Sequence, residues 1–108
     1  MDEKLLDKIK EIARHYGWGE QHMIAIEEMS ELTKAICKNQ RKFMYVNAVP
    51  IKGSKERTAI VEELADVINM SIQLVCLLSA KEEIENMVRH KVDRQIGRIN
   101  KECQLLES

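Results

Sequence analysis

Apolar positions recur along this chain at helical rather than strand spacing. Leu5, Leu6, Ile9, Ile12, Ala13 and Tyr16 share one face of a helix expected from about Glu3 to Tyr16, with Asp2 as its N-cap. "GWG" at Gly17 to Gly19 is expected to stop it, glycine being a poor helix former and a good C-terminal cap. A second helix is expected from about Glu20 to Arg41, with Ile26, Met29, Thr33 and Ile36 along its core face. "KFMYVNAVPIKGS" has no helical period and holds Pro50 and Gly53, so it predicts a loop with a short extended piece at "FMYV". A third helix starts near Ser54 and reaches about Leu78; its second half, "VINMSIQLVCLL", is apolar nearly all round, the mark of burial on most sides. The fourth opens with Ser79 as N-cap and Glu82 three residues on, a capping box. It continues through Ile84, Met87, Val88, Val92, Ile96 and Ile99 to near Leu106. The pattern predicts an all-α, four-helix bundle-like subunit with a short 3–4 turn and a longer 2–3 loop.

The length of 108 residues is that of one domain spanning 1–108, and it can bury only a modest core alone, so a subunit interface is a natural supplement. Hydrophobic residues at 44% and charged residues at 32% give a globular composition, while 4% aromatics and a single proline speak for helices over a β-sandwich. A net charge of −1 supplies no global basic field, so neither nucleic acid nor an anionic membrane is an expected partner. The longest uncharged run, Val67 to Ala80, falls short of the roughly 20 residues of a membrane span. Cys37, Cys76 and Cys103 are odd in number and widely spaced, which reads as reduced thiols in a cytoplasmic protein. "MDEKLLDKIK" lacks the apolar stretch of a signal peptide.

Charge chemistry concentrates in two places. "IEEMSELTKAI" on the second helix and "VEELADVINM" on the third each place two glutamates and then an acid three residues after the second. Residues three apart project from one side of a helix with Cβ atoms roughly 5–6 Å apart. Glu28 with Glu31 is one such pair and Glu63 with Asp66 is the other. Along the third helix Glu62, Asp66, Asn69 and Gln73 form a polar stripe in an aliphatic wall. Buried carboxylates persist when paired, protonated or bound to metal. Four hard oxygen donors from two helices suit Mg²⁺ or Mn²⁺ and offer no soft ligand for zinc. Lys34 and Lys38 follow Glu31 along the same side, where a bound polyphosphate would need cations. A single "EExxE" would be ordinary solvated helix; its doubling, with the second copy entering the most apolar helix, points to a metal.

These acids resemble the E-x-x-E and E-x-x-D motif of the MazG-like all-α nucleoside triphosphate pyrophosphohydrolases. "QHMIAIEEMSELTKAICK" is similar to that family's first motif helix and "EELADVINMSIQL" to its second. Lys91, Arg94 and Arg98 resemble its basic C-terminal helix, and the likeness covers roughly Trp18 to Lys101. It implies Mg²⁺-dependent cleavage of a (d)NTP between the α and β phosphates, giving a monophosphate and pyrophosphate. It also implies metal ligation by Glu28, Glu31, Glu63 and Asp66, with Glu28 or Glu31 orienting the water, and a homodimer or homotetramer as the active unit.

Further residues have two readings each. His22 lies near where the family seats base or sugar, or it is a surface histidine; Trp18 stacks on a base or anchors packing. Asn69 bonds a ligating acid or the sugar, or is satisfied by a neighbouring helix. Lys91 and Arg94, in the helix that resembles the family's basic C-terminal one, are further substrate-binding candidates; Lys52, Lys55 and Arg57 either close over phosphates or are solvated. His15 and His90 read as surface. Two other functions compete: a phosphoribosyl-ATP pyrophosphohydrolase-like enzyme on the same fold, and a non-enzymatic helical module for protein interaction. A di-iron bundle is disfavoured because the chain has no Glu-x-x-His.

Overall fold

The computed structural model describes residues 1–43 and 49–107, and these are all-helical apart from turns and caps. Helix α1 spans Glu3–Lys42, α2 spans Lys55–Leu78 and α3 spans Lys81–Glu107. The chain divides into two compact units, residues 1–78 and 79–108. Among the described residues no helix is long and apolar enough to cross a membrane.

Helix α1 starts where its cap dictates: the Asp2 carboxylate accepts from the Leu5 amide at 2.8 Å. The "GWG" stop is narrower than the sequence suggests. Only Gly17 leaves helical geometry, at φ 81° and ψ 173°, a region open to glycine alone. Trp18 and Gly19 already belong to the next helical segment, so α1 is one long helix broken at a single residue. It ends at Phe43, whose amide bonds the Asn39 carbonyl at 3.1 Å. The extended piece expected at "FMYV" lies, beyond Phe43, outside the described residues.

A turn carries the chain into α2: the Ser54 amide bonds the Ile51 carbonyl at 3.0 Å, with Gly53 supplying the positive φ of 86°. Ser54 then caps α2, its hydroxyl accepting from the Arg57 amide at 3.1 Å. The segment of α1 after Gly17 runs antiparallel to α2, since Gln21 bonds Gln73 at one end and Lys42 pairs with Glu56 at the other. Before Gly17 the buried positions of α1 are Ile9 and Ala13; after it, the buried or half-buried positions Gln21, Ala25, Glu28, Leu32, Ala35 and Asn39 recur at alternating spacings of four and three as in a coiled-coil seam. Their counterparts on α2 include Glu56, Glu63, Val67, Met70 and Gln73.

That seam differs from the expected core face. Ile26, Met29, Thr33 and Ile36 follow the same period one residue later, and Ile26 is 57% exposed. Apart from Leu32, the seam positions of α1 after Gly17 are small or polar, while Ile26, Met29 and Ile36 are exposed. Helix α2 is less enclosed than its composition predicts: Met70 and Gln73 are buried, whereas Val61, Leu64 and Ile68 are exposed. In the second unit, α3 has no buried residue, and Met87, Val88, Val92, Ile96 and Ile99 are all exposed.

The expected capping box at Ser79 is also displaced. Ser79 adopts φ 51°, the left-handed conformation that terminates helices, and the first helical bond runs from the Ile84 amide to the Ala80 carbonyl at 2.9 Å. The cap position therefore falls on Ala80, one residue later than the Ser-x-x-Glu pattern suggests.

Candidate metal centre

The α1–α2 seam brings together one acid from the first motif and two from the second. Glu28, Glu63 and Asp66 each offer a carboxylate oxygen, and the three oxygens lie within 4.8 Å of one another. Glu28 holds a seam position on α1 and Glu63 one on α2; both are half-buried, while Asp66 is exposed at the edge. Helical spacing sets Asp66 one turn beyond Glu63, so both reach across to the same glutamate.

Crowding shows in the electrostatics. The Glu28 carboxyl is raised above the ordinary range by burial first, then by the Asp66 charge and side-chain contact with it, then by Glu63 and Glu27. Glu63 is raised as well, by burial, then by Asp66, Glu31 and Glu62. Charge on Asp66 disfavours charge on both Glu28 and Glu63, and Glu63 adds to the effect on Glu28, a crowding that a proton or a cation would relieve. The donors are hard oxygens from two helices, with no thiol or imidazole among the three, and fit Mg²⁺ or Mn²⁺ by ligand type.

Glu31, the fourth motif acid, is exposed and lies outside this group of three. Its Oε1 is 3.3 Å from Lys34 Nζ, an i,i+3 pair on the outer face of α1, although its charge still reaches Glu63. Lys34 is thus tied to the motif itself. Lys38 is exposed, and its charge reaches in the other direction, helping to hold down the Glu56 carboxyl. Lys91 and Arg94 are exposed on α3, in the second unit.

Trp18 and His22 meet one another. Their rings stack at 5.7 Å between centroids with planes 4° apart, and His22 Nδ1 donates to the Trp18 carbonyl at 2.8 Å. Trp18 is exposed and His22 half-buried, which leaves indole surface open to solvent. His15 and His90 are both exposed.

Asn69 is half-buried and accepts from Gln73 Nε2 at 3.0 Å. Of the expected polar stripe, Gln73 is buried, Asn69 is half-buried, and Glu62 and Asp66 are exposed; the acid turned inward is Glu63 rather than Glu62.

Two polar contacts join residues that the sequence pattern does not pair. Gln21 Nε2 donates to Gln73 Oε1 at 2.7 Å at the Gly17 end of the seam, where Gln21 is 3% and Gln73 1% exposed. A signal for the place of Gln21 was available: Gln21 and Glu28 are seven residues apart and share a face. At the loop end, Lys42 Nζ lies 2.8 Å from the 7% exposed Glu56, whose carboxyl is held below the usual range chiefly by that hydrogen bond. A first-turn acid normally reads as a helix-dipole partner, so this pair leaves no distinctive pattern. No family model, curated protein or solved structure matches this chain.

Proposed function

We propose that this chain is a Mg²⁺-dependent nucleoside triphosphate pyrophosphohydrolase, cleaving a (d)NTP between the α and β phosphates to a monophosphate and pyrophosphate. One observation carries the proposal: Glu28 from α1 and Glu63 and Asp66 from α2 gather carboxylate oxygens within 4.8 Å of one another. A seam built only for stability would place apolar side chains there, since charge crowded at a partly dry interface costs folding energy.

In this reading Glu28, Glu63 and Asp66 hold the cation, with Mn²⁺ as an acceptable substitute. When bound, it would neutralise phosphate charge and lower the pKa of a coordinated water. The chain's own groups do the rest. Water oxygen bonds to the α-phosphorus, the bond from that phosphorus to the bridging α–β oxygen breaks, and pyrophosphate departs with the electron pair. Glu31, outside the group of three and one turn from Glu28, is the carboxylate at hand to orient the water and take its proton. Lys34 and Lys38 stand on the same helix to balance phosphate charge, and Trp18 with His22 offers a stacking surface to a base.

The outward apolar faces support a homodimer or homotetramer. Ile26, Met29 and Ile36 on α1, and Val61, Leu64 and Ile68 on α2, are exposed residues of a kind that a second copy would cover. The three free thiols support a reducing, cytoplasmic setting.

The test is pyrophosphate release from a panel of NTPs and dNTPs with Mg²⁺ and with EDTA. Turnover of at least one nucleotide, abolished by EDTA and reduced about a hundredfold or more in Asp66→Asn, is the expected result. A folded protein that binds Mn²⁺ and releases pyrophosphate from none of them refutes the activity.

A further inference from the structure

Beside the acids runs a chain of three amides. Gln21 Nε2 donates to Gln73 Oε1 at 2.7 Å, and Gln73 Nε2 donates to Asn69 Oδ1 at 3.0 Å. Each amide owns one carbonyl and one NH₂ group, so these two bonds fix the direction of the whole chain. At its outer end Asn69 has spent its carbonyl and keeps its NH₂. At its inner end Gln21 has spent its NH₂ and keeps its carbonyl, and Gln21 Oε1 is buried without a donor among the described residues.

A seam selected for stability alone would not retain this arrangement. Replacing both members of a buried amide pair by apolar residues of similar shape is close to neutral, whereas a buried orphan acceptor is a standing cost. Breaches of that kind are expected where function demands them. What the arrangement delivers is at the other end. Asp66, Asn69 and Gln73 follow one another at i, i+3 and i+7 on α2, so Asn69 sits one turn from the carboxylate cluster on the same face. Among the described residues the Asn69 NH₂ has no acceptor.

We propose that Gln21 and Gln73 are positioning residues that lock Asn69 with its NH₂ outward, as a donor to a phosphate oxygen of the ligand held at Glu28, Glu63 and Asp66. The inference rests on the metal-centre reading and adds to it a directional element. Acids alone would repel a polyphosphate. A neighbouring group that donates favours oxygen lone pairs, and while Gln73 donates to the Asn69 carbonyl the amide presents its NH₂ outward. Asn69 touches the ligand; Gln73 acts through Asn69, and Gln21 through Gln73.

The test is a double-mutant cycle on the full chain, with inorganic tripolyphosphate titrated calorimetrically into Mn²⁺-loaded protein. Asn69→Ala weakens tripolyphosphate binding about tenfold, the loss of one hydrogen bond to a charged group. Gln73→Met weakens it several-fold, and the double variant is no weaker than Asn69→Ala alone, because Gln73 has nothing left to position. Mn²⁺ affinity without phosphate stays within twofold of wild type throughout. If Gln73→Met does not fold, the combined Gln21→Met and Gln73→Met variant, which also removes the buried Gln21 amide that Gln73→Met alone would leave without a partner, takes its place. Losses that add, unchanged tripolyphosphate affinity, or a drop in Mn²⁺ affinity instead overturns the relay while leaving the metal centre standing. A wild-type protein that takes up no Mn²⁺ overturns both.

Discussion

Glu28→Gln should stabilise the metal-free protein and destabilise the metal-loaded one relative to wild type. Glu28 is one of the two half-buried acids of the cluster, with its oxygen within 4.8 Å of Asp66 and Glu63. Two unit charges at that separation repel by about 1 kcal/mol in a water-like dielectric, the appropriate setting for a site with an exposed member. Glutamine keeps the shape and removes that repulsion along with the cost of desolvating a charge. In EDTA the variant should therefore melt about 5 °C above wild type, using the 4–8 °C per kcal/mol expected for a domain of roughly this size. With Mn²⁺ at about a hundredfold over its dissociation constant, wild type gains about 2.7 kcal/mol by mass action. Losing one of three ligands should weaken Mn²⁺ binding about a hundredfold, which leaves the variant a gain of only about 0.4 kcal/mol. The order reverses, with wild type ahead by about 1 kcal/mol. Differential scanning calorimetry at fixed protein concentration reads this directly. A variant that is less stable in EDTA, or that gains as much from Mn²⁺ as wild type does, refutes the reasoning.

Three further outcomes are expected. Glu28 and Glu63 are raised and so hold more protons in the metal-free native state than in the unfolded chain; their contribution to stability should fall as pH rises through and above about 4.3, against the opposite contribution of the lowered Glu56. Saturating Mn²⁺ competes with those protons, so metal-induced stabilisation should grow over the same window; a gain from Mn²⁺ that is flat with pH in urea titrations would exclude these two groups. Gly17→Ala forces alanine to φ 81° and should cost about 1–3 kcal/mol, while Gly19→Ala, helical and with nothing within 4 Å of the added Cβ, should stabilise by about 0.5–1 kcal/mol in chemical denaturation. Ile26→Glu should lower the mass measured by light scattering from that of a dimer or tetramer toward that of one chain, while an unchanged mass removes this face from the interface.

The parts of this fold legible in the sequence were those set by local chemistry. Asp2 caps α1, Gly17 breaks it and Ser54 opens α2, because each outcome depends on a side chain or a φ angle within a few residues. The all-helical class followed from periodicity in the same way. What failed to show was which face meets which. Ile26, Met29 and Ile36 form a genuine heptad stripe, and period alone cannot say whether a stripe covers this chain's own α2 or lies outward. The seam uses Gln21, Ala25, Glu28 and Leu32 instead, a mixture whose small and polar members carry little hydrophobic signal. Rotation by one position also explains why Glu63 rather than Glu62 turns inward.

The acid site was legible for a different reason. Two copies of one spacing on successive helices are brought together by an antiparallel hairpin, which preserves their relation without any knowledge of the seam. The spacing pointed to four acids but not to which of them meet. Glu28, Glu63 and Asp66 converge, whereas Glu31 meets Lys34, and that outcome depends on side-chain directions across two helices. The seven-residue spacing sets Gln21 on the face of Glu28, but its bond to Gln73 and the Lys42–Glu56 pair could not be read as pairings, because residues 52 and 14 positions apart carry no mutual signature in a single sequence.

The most direct test of the central claim is the identity of the products. Phosphorus-31 NMR of a (d)NTP incubated with the protein and Mg²⁺ should show nucleoside monophosphate and pyrophosphate accumulating together in equal amounts, with no diphosphate, and none of either in EDTA. Nucleoside diphosphate with inorganic phosphate, or an unchanged triphosphate across the whole panel, would contradict it.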